Sequence, residues 1–238
     1  MIFTNLIETN LRTKIIGRKI EYYQRLDSTN NEAWELIKSG EAEHGTIIIT
    51  DNQLTGKGRN GNSWFMGPSK GLALSIVLTK PLPLNHAKLV PIATGVSVAK
   101  ALSNRGCNPT LKWPNDIFLG DKKSGGILCE SRFSDGLVKS MVIGIGLNIN
   151  ENNDDFPESL KGRATSFAIE TENSIQRELI CAIILTYFEQ IMRNLELCIN
   201  EWLSFCLHLE QLVTFSFNKE PYSGTFKGIN ENGEALIE

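Results

Sequence analysis

The apolar positions of this chain change period several times, and each change marks an element. Residues 20 to 26 (IEYYQRL) read as a strand. A short helix follows to about Ser39, with Asp27 or Ser28 available as its cap and Gly40 as its stop. TIIIT at 46 to 50 and LALSIVL at 72 to 78 are unbroken apolar runs of strand length, which predicts buried strands. Ile92, Val96, Ala99 and Leu102 recur at helical spacing within 91 to 104, with Pro91 near the first turn. Residues 110 to 150 predict a β-meander of TLKW, DIFL, GGILCESRF and LVKSMVIGIGLNI, with turns at Gly120-Asp121 and Asp135-Gly136. A polar loop holding Asn152, Asn153, Asp154 and Pro157 leads to a long helical region from about Ser174 to Phe205. Glu210 to Glu238 differs, with short strands broken by Gly224, Gly228 and Gly233, as in a small β-barrel. The pattern predicts an α+β fold: a mixed sheet with helices on one face in residues 1 to 209, and a small β appendage in 210 to 238.

Composition narrows the classes. A chain of 238 residues buries a large core in one main domain. The formal net charge of -3 and a pI near 5.8 argue against a nucleic-acid binder, although Lys57, Arg59, Lys112, Lys122 and Lys123 offer a local basic patch. Five cysteines, an odd number without a CxxC pair, point to reduced thiols in a cytosol and to no zinc site; small buried apolar roles suit them. His44, His86 and His208 are scattered and form no metal-ligand pattern. No signal peptide is evident, and the run ICAIILTYF is too short to cross a bilayer.

Four segments carry candidate chemistry. NQLTGKGRNGNSW at 52 to 64 leaves a strand and alternates Gly56, Gly58 and Gly61 with Lys57 and Arg59. Glycines let a backbone approach a ligand, and the cations suit a phosphate or carboxylate; a solvated hairpin tip is the plain alternative. KWPND at 112 to 116 packs a cation, an indole and a carboxylate around Pro114, which fixes its own φ and makes Trp113 extended. DKKSGGIL at 121 to 128 and IGIGLNIN at 143 to 150 complete the set. The latter lacks the third glycine and the helix of a dinucleotide loop.

In order and spacing these segments, with DSTN at 27 to 30 and Gln53, resemble the signature of biotin–protein ligases over most of residues 20 to 238. The resemblance implies a catalytic domain like that of class II aminoacyl-tRNA synthetases, with a small C-terminal SH3-like β-barrel. It implies that biotin is joined to ATP as biotinyl-5′-AMP and passed to a lysine of a biotin carboxyl carrier protein, with Mg²⁺ accompanying ATP through phosphate oxygens and no protein metal site. Ser28, Thr29, Asn30 and Gln53 then face biotin, although an N-cap cluster explains the first three equally well. Lys57, Gly58 and Arg59 belong to a loop folded over biotin and adenylate. Trp64 lies beside adenine or packs in the core. Asp116 faces biotin, and Lys112, Asn115 and Asn148 face the nucleotide. Gly125 and Gly126 admit the ligand backbone. Lys123, separated from its neighbour Lys122 only by alignment to the motif, is the catalytic cation with Arg59, neutralising the carboxylate and the α-phosphate as they meet.

Two departures from the family pattern stand out. Lys57 occupies a position where arginine is usual, which removes a planar fork, and Asn62 stands where a further basic residue is common. Only about 20 residues precede the first strand, too few for the DNA-binding domain of repressor relatives, so DNA binding is not expected. Relatives range from monomers to homodimers joined at sheet edges, and no stretch decides between them. A cytoplasmic location is expected. A lipoate–protein ligase shares the fold, but KWPND with GKGRNG suits biotin better, and a non-enzymatic biotin or nucleotide sensor is the reading from outside the enzymes.

Overall fold

The structure is a computed structural model and describes residues 1–217 and 220–238. The first residues, for which the pattern predicts no element, form α1 (Thr4–Asn10), and Ile2, Ile7 and Leu11 bury their side chains in the core. There follow β1 (Ile20–Tyr23), α2 (Thr29–Ser39), β2 (Ile47–Thr50), the short pair β3 (Gly56–Lys57) and β4 (Ser63–Trp64), β5 (Leu72–Leu78), β6 (Leu82–Pro83) and α3 (Leu84–Ser103). The meander comprises β7 (Pro109–Lys112), β8 (Asp116–Leu119), β9 (Lys122–Ser134) and β10 (Leu137–Leu147). Then come α4 (Phe167–Thr171), α5 (Arg177–Met192), α6 (Cys198–Ser204), β11 (Leu212–Phe217), β12 (Glu220–Ile229) and β13 (Ala235–Ile237).

Eight strands form the main sheet, in the order β1-β2-β5-β10-β9-β8-β7 with β6 beside β10. β1 and β2 pair in parallel and the remaining pairs are antiparallel, so the sheet is mixed. Asp135 and Gly136 both take positive φ, 53° and 76°, as a two-residue hairpin between β9 and β10 requires.

Side chains alternate across a sheet, and here the two faces divide. Ile47, Ile49, Leu72, Leu74, Ile76, Ile143, Ile145 and Leu147 join α3 and α5 in the main core. The opposite face is covered at one end by α2, where Ala33 packs on Ile48, Val77 and Val142. Helix cover therefore extends to both faces at that end. α2 ends on Gly40 at φ 78°, the predicted stop.

Two helices differ from the pattern. α3 begins at Leu84, so Pro91 lies inside it; burial of Ala87, Leu89 and Val90 extends the apolar helix upstream and offsets the backbone donor that proline lacks. The region from Ser174 to Phe205 is broken at Asn194, whose ψ of 72° is non-helical, so α5 and α6 are separate. The C-terminal β unit is a three-stranded antiparallel sheet, β11-β12-β13. Its Phe226 and Ile229 sit in the main core, and Gly233 O accepts a hydrogen bond from Trp113 Nε1 at 3.0 Å.

The five cysteines are free thiols, and His44 Nδ1 accepts backbone bonds from Thr79 and Lys80. Polar clasps fasten the N-terminal segment. Arg177 Nη2 meets Asp51 Oδ1 at 2.7 Å, with both side chains buried. Glu189 accepts the backbone N–H groups of Lys14, Ile15 and Ile16 at 2.8 to 2.9 Å. Burial alone would raise the Glu189 carboxyl, but these donors and Arg193 outweigh it and hold it down to about 2, from an ordinary 4.5.

A carboxylate lowered on folding stabilises the fold above its unfolded value, and that stability is lost as pH falls through its folded value. Glu189→Gln is expected to cost about 3 kcal/mol at pH 7 from a shift of this size. In urea unfolding the gap to the parent chain shrinks between pH 4.5 and 2.

Candidate active site

Beyond the cover of α2, the same sheet face carries small residues. The register aligns Ser75 with Gly144, and Ala73 with Gly146 and Gly126. A Cβ on Gly144 would collide with the Asn30 amide, and one on Gly146 with the Trp64 indole. The glycines of IGIG thus make a floor on which two side chains rest, which is why they alternate. Gly126 shares that floor. Gly125 does not, since its open side is filled by Leu147 and Ile117 of the core, which corrects the expectation that both admit a ligand.

Above the floor lies a cavity of about 290 Å³. Its walls hold Ser28, Thr29, Asn30, Gln53, Lys57, Gly58, Arg59, Trp64, Asn115, Asp116 and Lys123. The fold brings these predicted residues together from α2, the β3–β4 hairpin, the Trp113–Pro114 turn and β9. The Trp113–Pro114 peptide bond is cis. Lys112 and Asn148 are not on the walls. Lys112 is exposed, its Nζ 5.8 Å from the Phe118 ring centre. Asn148 is buried, its Nδ2 donates to Thr165 O at 3.0 Å, and its Oδ1 has no partner among the described residues.

One end of the cavity is a neutral hydrogen-bond network. Ser28 holds the N-cap position of α2, but its side chain makes no capping bond, unlike the predicted cap cluster. Thr29 N and Oγ1 both donate to Gln53 Oε1, at 3.0 and 3.3 Å. Ser75 Oγ lies 2.8 Å from Thr29 Oγ1 and 2.6 Å from Asn30 Oδ1. Asn30 Nδ2 donates to Glu130 Oε2 at 2.7 Å. Gly56 lets Gln53 fold back, since a Cβ there would lie 2.6 Å from Gln53 Nε2.

The other end is cationic. Lys123 Nζ meets Asp116 Oδ1 at 2.6 Å and stands 5.9 Å from the Trp64 ring centre. Arg59 Nη1 reaches Asn115 Oδ1 at 3.4 Å, and Asn115 is fixed by donating to Ile127 O at 2.8 Å. Lys57 Nζ donates to Asn31 Oδ1 at 2.7 Å. Trp64 is half-buried at the wall, not in the core, and its Nε1 has no partner among the described residues. Among those residues no group of three or more His, Cys, Asp or Glu could hold a metal ion, and no helix is long and apolar enough to cross a membrane.

Sequence reasoning missed Ser75, Glu130 and Asn31. Ser75 had a signal, being the one polar residue in the apolar run of β5. Glu130 had none, because its link to Asn30 spans 100 positions.

The chain belongs to the biotin/lipoate A/B protein ligase family, whose model matches residues 22–148. It is 30% identical to the bifunctional ligase/repressor BirA of Bacillus subtilis, over 98% of this chain and 73% of that protein. It is 27% identical to the biotin–[acetyl-CoA-carboxylase] ligase of Paracoccus denitrificans, over 90% of this chain and 91% of that protein. Among solved structures, the biotin protein ligase from Aquifex aeolicus in complex with biotin and ATP matches with a TM-score of 0.77 and 26% identity, over 92% of this chain and 91% of that one.

Asn30→Asp sets a second carboxylate against Glu130 and is expected to cost about 1–3 kcal/mol at pH 7, as an uncompensated polar contact does. Urea unfolding at pH 7 reads it.

Proposed function

We propose that this chain is an ATP-dependent biotin–protein ligase, which joins biotin to ATP as biotinyl-5′-AMP, releases pyrophosphate, and transfers the biotinyl group to a lysine of a biotin carboxyl carrier protein. The observation that carries this reading is the division of a single cleft: Thr29 and Gln53 at a neutral end, Lys123 and Arg59 at a charged end. A ureido ring needs paired donors and acceptors, and Ser28, Thr29, Asn30 and Gln53 supply them. A carboxylate and a phosphate repel each other, and Lys123 with Arg59 offsets that repulsion as they meet.

Asp116 has a double part. In the free protein it neutralises Lys123, so the ammonium is held in position until the ligand anions take it. It then faces biotin. The β3–β4 hairpin, with Lys57, Gly58 and Arg59, closes over the adenylate and excludes water from a reactive anhydride. Trp64 lies beside the adenine, and Lys112, Asn115 and Asn148 serve the nucleotide end. Mg²⁺ would accompany ATP and would offset part of the charge on its phosphates. Residues 1–209 form the catalytic unit and 210–238 the appendage, tied by the Trp113–Gly233 bond and the Lys88–Glu234 pair. The chain acts in the cytoplasm.

ATP–pyrophosphate exchange with biotin and with lipoate tests the activity. Exchange with biotin alone is expected, and exchange with lipoate alone moves the assignment to the sister activity. Lys123→Ala should lower biotin-dependent exchange by roughly 10²–10³-fold, the range for losing one charge-stabilising group, with unchanged circular dichroism. Normal turnover in that variant removes Lys123 from the mechanism. Lys57→Arg restores a planar fork and should slow the decay of trapped biotinyl-5′-AMP, measured as release of labelled adenylate.

A further inference from the structure

Glu151 lies just beyond the strand that carries the glycine floor, and its side chain is fully buried. A buried carboxylate is costly unless its oxygens find donors. Here the two oxygens serve two different segments. Oε1 accepts from Gly67 N at 3.1 Å, in the loop that follows Trp64. Oε2 accepts from Ile149 N at 2.8 Å, in the segment that follows Gly146. Trp64 and Gly146 are themselves in contact, since a Cβ on Gly146 would lie 2.4 Å from Trp64 Nε1. The contacts close a ring: the indole rests on the floor, and the carboxylate joins the two chains that lead away from them. The loop GPSKG at 67–71 wraps the same side chain. A Cβ on Gly67 would stand 3.0 Å from Glu151 Cγ, and one on Gly71 2.6 Å from Glu151 Oε1. The far end of that loop has other fastenings, Ser69 N to Asp51 O at 2.9 Å and Arg177 Nη1 to Gly71 O at 3.2 Å. Glu151 thus governs the near end, next to Trp64.

Building on the ligase reading, in which Trp64 lies beside the adenine of ATP, we infer that Glu151 is a positioning residue for the nucleotide. By clamping Gly67 to Ile149 it holds the Trp64 indole in one orientation above Gly146. A stacking face contributes most when it is already oriented, because a base that must first order the ring loses affinity to that ordering. The neutral end does not depend on this clamp. Ser28, Thr29 and Asn30 are carried by the start of α2, and Gln53 is held by Thr29 N. Glutamate suits the clamp because both backbone donors need an acceptor. A carboxylate accepts at both oxygens, whereas a glutamine of the same length has one oxygen and one NH₂. Whichever way that amide turned, its NH₂ would face a backbone N–H, and one side of the clamp would open.

The test is biotin-dependent ATP–pyrophosphate exchange by the full chain, with biotin affinity read separately by calorimetric titration. Glu151→Gln should raise the KM for ATP about tenfold, the scale of one lost hydrogen bond, while kcat and the Kd for biotin stay within about twofold of the parent. In a Trp64→Ala background, which already lacks the indole, Glu151→Gln should raise the KM by no more than about twofold further. A residue that only supports the fold weakens both ligands and acts equally in either background. Should Glu151→Gln fail to fold by circular dichroism, Gly67→Ala carries the same test. Its methyl group presses on Glu151 Cγ and should raise the KM for ATP about threefold, with biotin affinity unchanged. An unchanged KM for ATP in the folded clamp variant, a parallel loss of biotin affinity, or an undiminished effect of Glu151→Gln without Trp64 overturns the inference while leaving the ligase reading intact. A parent chain with no biotin-dependent exchange overturns both.

Discussion

The site depends on what is missing from one face of the sheet. Where α2 covers that face, Ile48, Val77 and Val142 fill the space beneath it. One and two residue pairs further along, the same face carries Ser75 with Gly144, then Ala73 with Gly146 and Gly126. The loss of bulk leaves a hollow bounded below by backbone, and backbone cannot be displaced by a neighbour. Asn30 and Trp64 rest directly on it, so their positions are set by the pleat rather than by rotamer choice. A hollow with a rigid floor orders everything built over it: the start of α2, the β3–β4 hairpin and the turn at Pro114.

Electrostatics then divides the hollow. At one end the lining groups are uncharged, and Thr29, Gln53, Ser75 and Asn30 hold one another by hydrogen bonds, so a ligand meets fixed donors and acceptors with little reorganisation. At the other end the charges meet partly exposed partners: Lys123 pairs with Asp116, Arg59 with Asn115 at 3.4 Å, and Lys57 with Asn31. Half-exposed pairs of this kind contribute little to stability. They are therefore available for exchange when anions arrive. The rigid end suits recognition and the exchangeable end suits charge developing during reaction.

The C-terminal sheet belongs to this arrangement through the turn before β13. Trp113 reaches it by its indole N–H, while Pro114, Asn115 and Asp116, next along the chain, line the cavity. The same motif therefore joins the small unit to the cleft.

Much of this was legible without coordinates. The buried runs of β2 and β5, the meander with its two turns, and the Gly40 stop follow from local periodicity and turn chemistry, which act over a few residues. The motifs also named most of the cavity wall, because glycine and cation spacing reports a ligand directly. The extent of α3 and the break at Asn194 were not legible, since burial overrides propensity at Pro91 and the backbone at Asn194 leaves the helical region. The exclusion of Lys112 and Asn148 from the wall was equally hidden. Lys112 shares a motif with Asp116 but stands exposed beside Phe118, and Asn148 is drawn to Thr165. By itself, the sequence determined which segments are strands and which residue types converge on a ligand. Only the tertiary structure decided that Ser75 and Glu130 complete the network, that Gly126 and not Gly125 faces the cleft, and that Asp116 pairs with Lys123. Each of those is a matter of sheet register, which brings distant residues to one face and which no local pattern encodes.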